Sequence, residues 1–133
     1  DQGVSRFLAD GTVWDFASTQ HQTRQLLWLP TNSDIYTASG IGGVKSLDYF
    51  STLGMSLVST MPSYTTKIIL DGDTVYANDF GTGIGVIGSL NRNLDAYIPL
   101  DIDIATIASV RDANGLYLIL ADTNGQLLSM KVQ

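Results

Sequence analysis

The residues of this chain best able to do chemistry are its aspartates: thirteen acidic side chains, none of them glutamate, face seven lysines and arginines and a single histidine. Candidates occur two residues apart at Asp71 and Asp73 and at Asp101 and Asp103, and further on at Asp112 and Asp122. Residues two apart on a strand share a face, so Asp101 and Asp103 could jointly ligate a hard cation. A glycosidase would need two carboxylates across a cleft, a separation that spacing along the chain does not set. An aspartate oxygen also bonds the backbone two residues on, and ordinary turn aspartates are the favoured reading.

Nucleophilic and metal chemistry have little to work with. There is no cysteine, which removes disulfides, thiolate nucleophiles and Cys-ligated zinc, and the lone His21 cannot form a histidine metal cluster. No serine lies in a G-x-S-x-G elbow. Gly81-Thr82-Gly83-Ile84-Gly85 has the glycines of a phosphate loop, but its spacing matches neither the dinucleotide fingerprint nor the P-loop. Glycines serving a bulge or tight turn are expected there. No catalytic residue, metal site or cofactor is therefore assigned. The aromatic residues Trp14, Trp28, Tyr49, Phe50, Tyr64 and Tyr97 offer flat rings for sugar stacking or protein contact. At strand positions, however, such rings are more often core. If one exposed ligand-binding site exists, its residues are Trp14, His21, Arg24 and Trp28, whose rings and donors cluster along one segment.

Composition narrows the classes. The 133 residues suffice for one domain with its own core, taken as 1–133. They are 44% hydrophobic and 15% charged, which excludes a disordered tail. A net charge of -6 argues against nucleic acid, whose phosphates demand clustered Lys and Arg. No apolar run approaches the ~20 residues of a membrane-spanning helix, so no membrane insertion is expected. Absent cysteine, scarce lysine and abundant Ser, Thr and Gly point to an extracellular or virion surface. No Asn lies in an N-x-S/T sequon, so eukaryotic secretion gains no support. Because the chain begins Asp1-Gln2-Gly3, a processed product or a piece of a longer polypeptide is expected.

The elements that must carry these residues read as strand, turn, strand. Ile68-Ile69-Leu70 runs into Asp71-Gly72-Asp73, and Val75-Tyr76-Ala77 resumes, a hairpin signal. The same order recurs from Leu8 to Trp14 and from Leu116 to Leu128. Leu118, Leu120 and Leu127 could line one face, while the unbroken run Leu116 to Ala121 suggests a strand covered on both sides. Ser18-Thr19 could cap a short helix reaching Leu29 before Pro30, although Gln25 to Leu29 equally fits a strand. Asn91 to Tyr97 reads as turn and strand.

The hairpins repeat. Ile35-Tyr36-Thr37-Ala38-Ser39 aligns with Val75-Tyr76-Ala77-Asn78-Asp79; each is followed by glycines, an apolar strand and a polar turn. A third copy starts at Leu116-Tyr117, and Phe7 to Trp14 begins another. A period of roughly 40–45 residues with several short strands per unit is that of a propeller blade. The chain resembles the degenerate β-propeller repeats, most closely over Val75 to Pro99 and next over Ile35 to Val58. The G-H…W-D signature of the WD40 class is missing, though Trp14-Asp15 is similar to its end. Asp112-Ala113-Asn114-Gly115 resembles the start of the calcium loops of integrin-type propellers, without their D-x-[DN]-x-[DN]-G run. The resemblance implies an all-β fold of blade-like antiparallel repeats, a partial propeller or one completed by oligomerisation, since closure needs at least four blades. A single β-sandwich or barrel of seven to ten strands is the alternative.

The function expected from these readings is a non-enzymatic structural or interaction module that assembles or docks through β-strand edges, by self-association or onto a protein partner. A lectin-like glycan- or receptor-binding attachment domain is the alternative, and a carbohydrate-active hydrolase working through aspartate pairs comes third.

Overall fold

A computed structural model of the chain describes residues 3–48, 55–57 and 64–132. Among the described residues there is no helix; thirteen strands form four separate antiparallel sheets, none closed into a barrel. The first sheet pairs β1 (Gly3–Phe7) with β2 (Val13–Ser18). The second is β3 (Gln25–Leu29), β4 (Asp34–Ala38), β5 (Val44–Asp48) and β6 (Met55–Leu57), and the third is β7 (Ile68–Asp71), β8 (Thr74–Asp79), β9 (Gly83–Gly88) and β10 (Asn93–Pro99). The last sheet holds β11 (Ile104–Asp112), β12 (Gly115–Asp122) and β13 (Leu127–Lys131). In every sheet the strands lie in chain order, so each is a simple meander, as in a blade. The all-β, blade-like expectation holds, whereas a single barrel or two-sheet sandwich does not describe four sheets in series.

Local chemistry explains the turns. Asp71 pairs with Thr74 across a two-residue loop whose first position, Gly72, has φ 57°, the glycine position of a type II′ hairpin. Asp112 and Asp122 accept backbone N–H bonds from the residues just beyond them, at 2.7 Å from Asn114 and 2.9 Å from Asn124. They are turn aspartates. Gly83 sits where an added Cβ would run into the Ile98 carbonyl, so the glycine run allows β9 and β10 to approach rather than cradling a phosphate. The segment Gln25–Leu29 is strand, not helix: it pairs along its whole length with β4.

Packing follows the alternation of each strand. Val75 and Ala77 of β8 face the second sheet and join Leu29, Tyr36, Ala38 and Val44, while Tyr76 faces the last sheet and joins Ile104, Leu116, Leu118 and Leu120. A smaller cluster of Val4, Ala17 and Leu47 joins the first sheet to the second. The sheets therefore stack face to face in chain order. The leading strands β3, β7 and β11 touch in succession, β3 against β7 and β7 against β11. The repeated hairpins match in the structure: Asp79 and Asp122 end the second strand of their sheets, Ser39 directly follows the second strand of its own, and Asp10 lies in the turn after β1. Three strands run from Asp10 to Ser39 but four from Ser39 to Asp79, so the first of these two intervals is the shorter in sequence.

Two expectations are corrected. Leu127 does not share a face with Leu118 and Leu120: the turn after Asp122 sets the register Ala121↔Leu127, which places it on the opposite face, 73% exposed. A one-residue change of register moves a side chain across the sheet. Strand β12 is also covered on one face only, with Leu116, Leu118 and Leu120 buried while Tyr117, Ile119 and Ala121 are half exposed.

Buried polar side chains tie the sheets together. Asn78 accepts N–H bonds from Thr66 and Lys67, both at 2.9 Å, and donates to Thr66 Oγ1 at 3.0 Å and to the Ile104 carbonyl at 2.9 Å. Asp34, fully buried at the start of β4, accepts a forked pair from Arg92 at 2.8 and 2.7 Å. Arg111 of the last sheet likewise donates to Asp71 of the third.

Candidate functional site

The strongest concave feature near the residues singled out above is built from three segments far apart in the chain. The loop 19–24 between β2 and β3 is held from within by buried Thr19, whose hydroxyl donates to the His21 carbonyl at 2.6 Å and meets the Thr23 hydroxyl at 3.1 Å. Gln20 takes φ 63° to make the corner. The Arg24 N–H then donates to the Ala38 carbonyl at 2.8 Å, which extends the β3–β4 pairing. The turn 39–43 after β4 closes on itself through Ser39 N–H to Gly43 O and Gly42 N–H to Ser39 O, both 2.9 Å. Gly40, at φ 56°, forms a reciprocal bridge with Thr65. That bridge carries Tyr64 alongside, and buried Asp79 fixes it by accepting the Tyr64 N–H at 3.0 Å.

Together these segments enclose a pocket of about 230 Å³ lined by His21, Gln22, Arg24, Ser39, Gly40, Ile41 and Tyr64. A Cβ at residue 42 would overlap the imidazole of His21, so the ring lies directly on Gly42. Arg24 Nε lies 3.7 Å from where a Cβ of Gly40 would stand. The Tyr64 ring is braced by Phe80, with centroids 5.7 Å apart and planes tilted by 55°. The lining contains a guanidinium and an imidazole and no carboxylate, in a chain whose net charge is -6.

The four residues expected at one site are thus divided. His21 and Arg24 come together in the pocket. Trp14, 59% exposed beside the β-bulge of the first sheet, instead stacks on the Arg6 guanidinium at 4.3 Å from the ring centroid. Trp28 is exposed on β3 opposite Ile35 and lines no part of the pocket. Neither tryptophan is the core residue that strand position suggested. Tyr49, Phe50 and Val58 lie outside the described residues. Ser39, Gly40 and Ile41 were not chosen from the sequence as site residues. Their only signal is the glycine-rich turn that follows each Tyr-containing strand of the repeat.

A second, acidic concavity of about 270 Å³ brings Asp101, Asp103, Asp122 and Asn124 near Gly81. Asp101 and Asp103 do not share a strand face, because both precede β11 on a bend and the loop that follows it. Asp122 already accepts two backbone N–H bonds through Oδ1. Among the described residues no group of three or more His or Asp side chains is arranged to hold a metal ion. The arginines outside the pocket are differently used. Hydrogen bonding to Asp34 raises the already high pKa of Arg92, and bonding to Asp71 does the same for Arg111. No helix of the described residues is long and apolar enough to cross a membrane. The chain matches no protein-family model and no curated protein.

Proposed function

We propose that the chain is a non-enzymatic structural and interaction module of propeller type that docks through an open β-edge, onto copies of itself or a protein partner, at an extracellular or virion surface. The observation that carries this reading is the outer edge of β13. The second and third sheets each carry a fourth strand, whereas no described strand pairs the far side of β13. An unpaired edge presents a row of donors and acceptors to an incoming strand. The edge is apolar as well, with Leu127 and Leu128 both exposed and Lys131 its only charge. Succession of β3, β7 and β11 supports the propeller arrangement, since the first strands of successive blades are neighbours in a propeller. The non-enzymatic reading is supported by the employment of Asp34, Asp79 and Asp122 in structural hydrogen bonds.

Register supplies the test. Val132 N–H donates to the Leu116 carbonyl, and alternation then points the N–H groups of Met130 and Leu128 inward and that of Ser129 outward. Ser129→Pro should remove an outward donor without breaking a bond to β12. Light scattering over a dilution series is expected to give a mass above the monomer for the parent and a monomer for the variant. A monomer for both at every concentration would overturn self-assembly through this edge.

A further inference from the structure

We infer that the pocket between loop 19–24, turn 39–43 and Tyr64 binds the carboxylate of an acidic sugar unit, an activity that does not depend on the β13 edge. Charge is the first argument. Of the four arginines, Arg92 and Arg111 are committed to aspartates and Arg6 to the Trp14 ring. The Arg24 guanidinium makes no hydrogen bond or ion pair with any described residue, yet it lies on a pocket wall that contains no carboxylate. A planar guanidinium fork is the side chain best matched to a planar carboxylate.

The rest of the lining selects the body attached to that carboxylate. A phosphate or sulfate is held most readily by converging backbone N–H groups. Here the N–H groups of Ser39, Gly40, Gly42 and Gly43 all donate to carbonyls of the turn or of Thr65, so the glycine turn is not an anion nest. The pocket is lined instead by Tyr64, by the exposed apolar side chain of Ile41, and by the polar residues Gln22 and His21, while the buried Ser39 hydroxyl is already paired with that of Thr37 at 2.8 Å. An aromatic face with hydroxyl-bonding partners beside it suits a sugar ring, which has an apolar face and a polar rim. Gly42 is required for this geometry, because only a residue without Cβ lets His21 lie flat against the turn.

Titrating the isotopically labelled 133-residue chain with glucuronic acid and, separately, N-acetylneuraminic acid tests the inference by amide chemical shifts. At least one of the two acids is expected to produce saturable shifts at Gly40, Ile41, Gly42 and Tyr64, with glucose, acetate and sulfate much weaker at the same positions. Arg24→Gln should weaken that binding about tenfold or more, the loss expected for one charge-assisted hydrogen-bond pair. Its thermal midpoint should be unchanged, since the guanidinium supports no described contact. Arg24→Lys, which keeps charge but not the fork, should fall between. Ser129→Pro should bind as the parent does, which separates this inference from the docking proposal. No saturable shift with either acid would overturn the inference. So would equal binding of glucose, which removes the role of Arg24, or equal binding of acetate or sulfate, which reduces the pocket to a general anion site.

Discussion

Replacing Asn78 probes the joint between the third and last sheets most directly. In Asn78→Ala the N–H groups of Thr66 and Lys67 and the carbonyl of Ile104 lose their partner. Each buried unsatisfied group costs about 1–3 kcal/mol, and the half-buried Thr66 and Lys67 allow partial rehydration, so the expected loss is about 3 kcal/mol. With a urea m-value of about 2 kcal/mol/M for a chain of this size, the unfolding midpoint should fall by about 1.5 M at unchanged m. Asn78→Asp sharpens the test. It keeps an acceptor for the two N–H groups but turns a second oxygen toward the Ile104 carbonyl. The two N–H donors pull the pKa of the introduced carboxyl down, but its burial and the facing carbonyl should outweigh them and raise its folded-state pKa above the unfolded value. Stability of that variant is then greatest below the unfolded pKa, where the protonated acid donates to Ile104, and is lost as pH rises through the folded pKa. Urea midpoints of the parent and both variants between pH 3 and 7 give the measurement. A loss below about 1 kcal/mol for Asn78→Ala, or an Asn78→Asp curve parallel to the parent, would refute the assignment of Asn78 as the joint.

Two further perturbations address the joint between the second and third sheets. Breaking a buried ion pair from one side costs about 3–5 kcal/mol. Because the Arg92 side chain is 40% exposed, water screens part of that loss, and Arg92→Met should cost about 2 kcal/mol. Asp34→Leu combined with Arg92→Met should recover at least half of it in urea unfolding; a double variant no better than the single would show that the pair acts independently. Burial, with a smaller contribution from nearby Asp34, pushes the Tyr36 hydroxyl up to about 12. The folded state therefore holds this proton more tightly than the unfolded chain, and the stability involved is complete below about pH 10 and lost as pH rises toward 12. Tyr36→Phe removes the bond to the Ser89 carbonyl at 3.1 Å, for about 1 kcal/mol at neutral pH, but escapes the alkaline loss. The two stability curves should cross at about pH 11, and parallel curves up to pH 12 would contradict the shift.

What could be read from the sequence was what depends on near neighbours. The apolar β-forming run Val75–Ala77 and the Asp71-Gly72 turn announce strand and hairpin because β propensity and positive φ are local properties. The repeat was legible for the same reason: Ser39, Asp79 and Asp122 lie at or just past the ends of equivalent strands, and each unit folds against its own neighbours in the chain. The turn role of Asp112 and Asp122 was legible too, since an aspartate that caps its own turn reveals itself within three or four residues.

Tertiary structure alone decided which polar residues became structural and which were left lining a pocket. Asp34 meets Arg92 across 58 residues, and Gln25 pairs its amide with the backbone of Ile68 across 43, so nothing near either residue marks it as an inter-sheet clamp. Trp14 and Trp28 share a segment with His21 and Arg24 but not the pocket, because successive strand residues alternate faces while a loop gathers its residues at one end of the sheet. Turn 39–41 reaches the pocket through the β3–β4 pairing, and Tyr64 only through the Gly40–Thr65 bridge. A sequence specifies strands and turns through local sterics and hydrogen bonding. Which faces, edges and charges remain for a partner is settled only when the sheets stack and consume the rest.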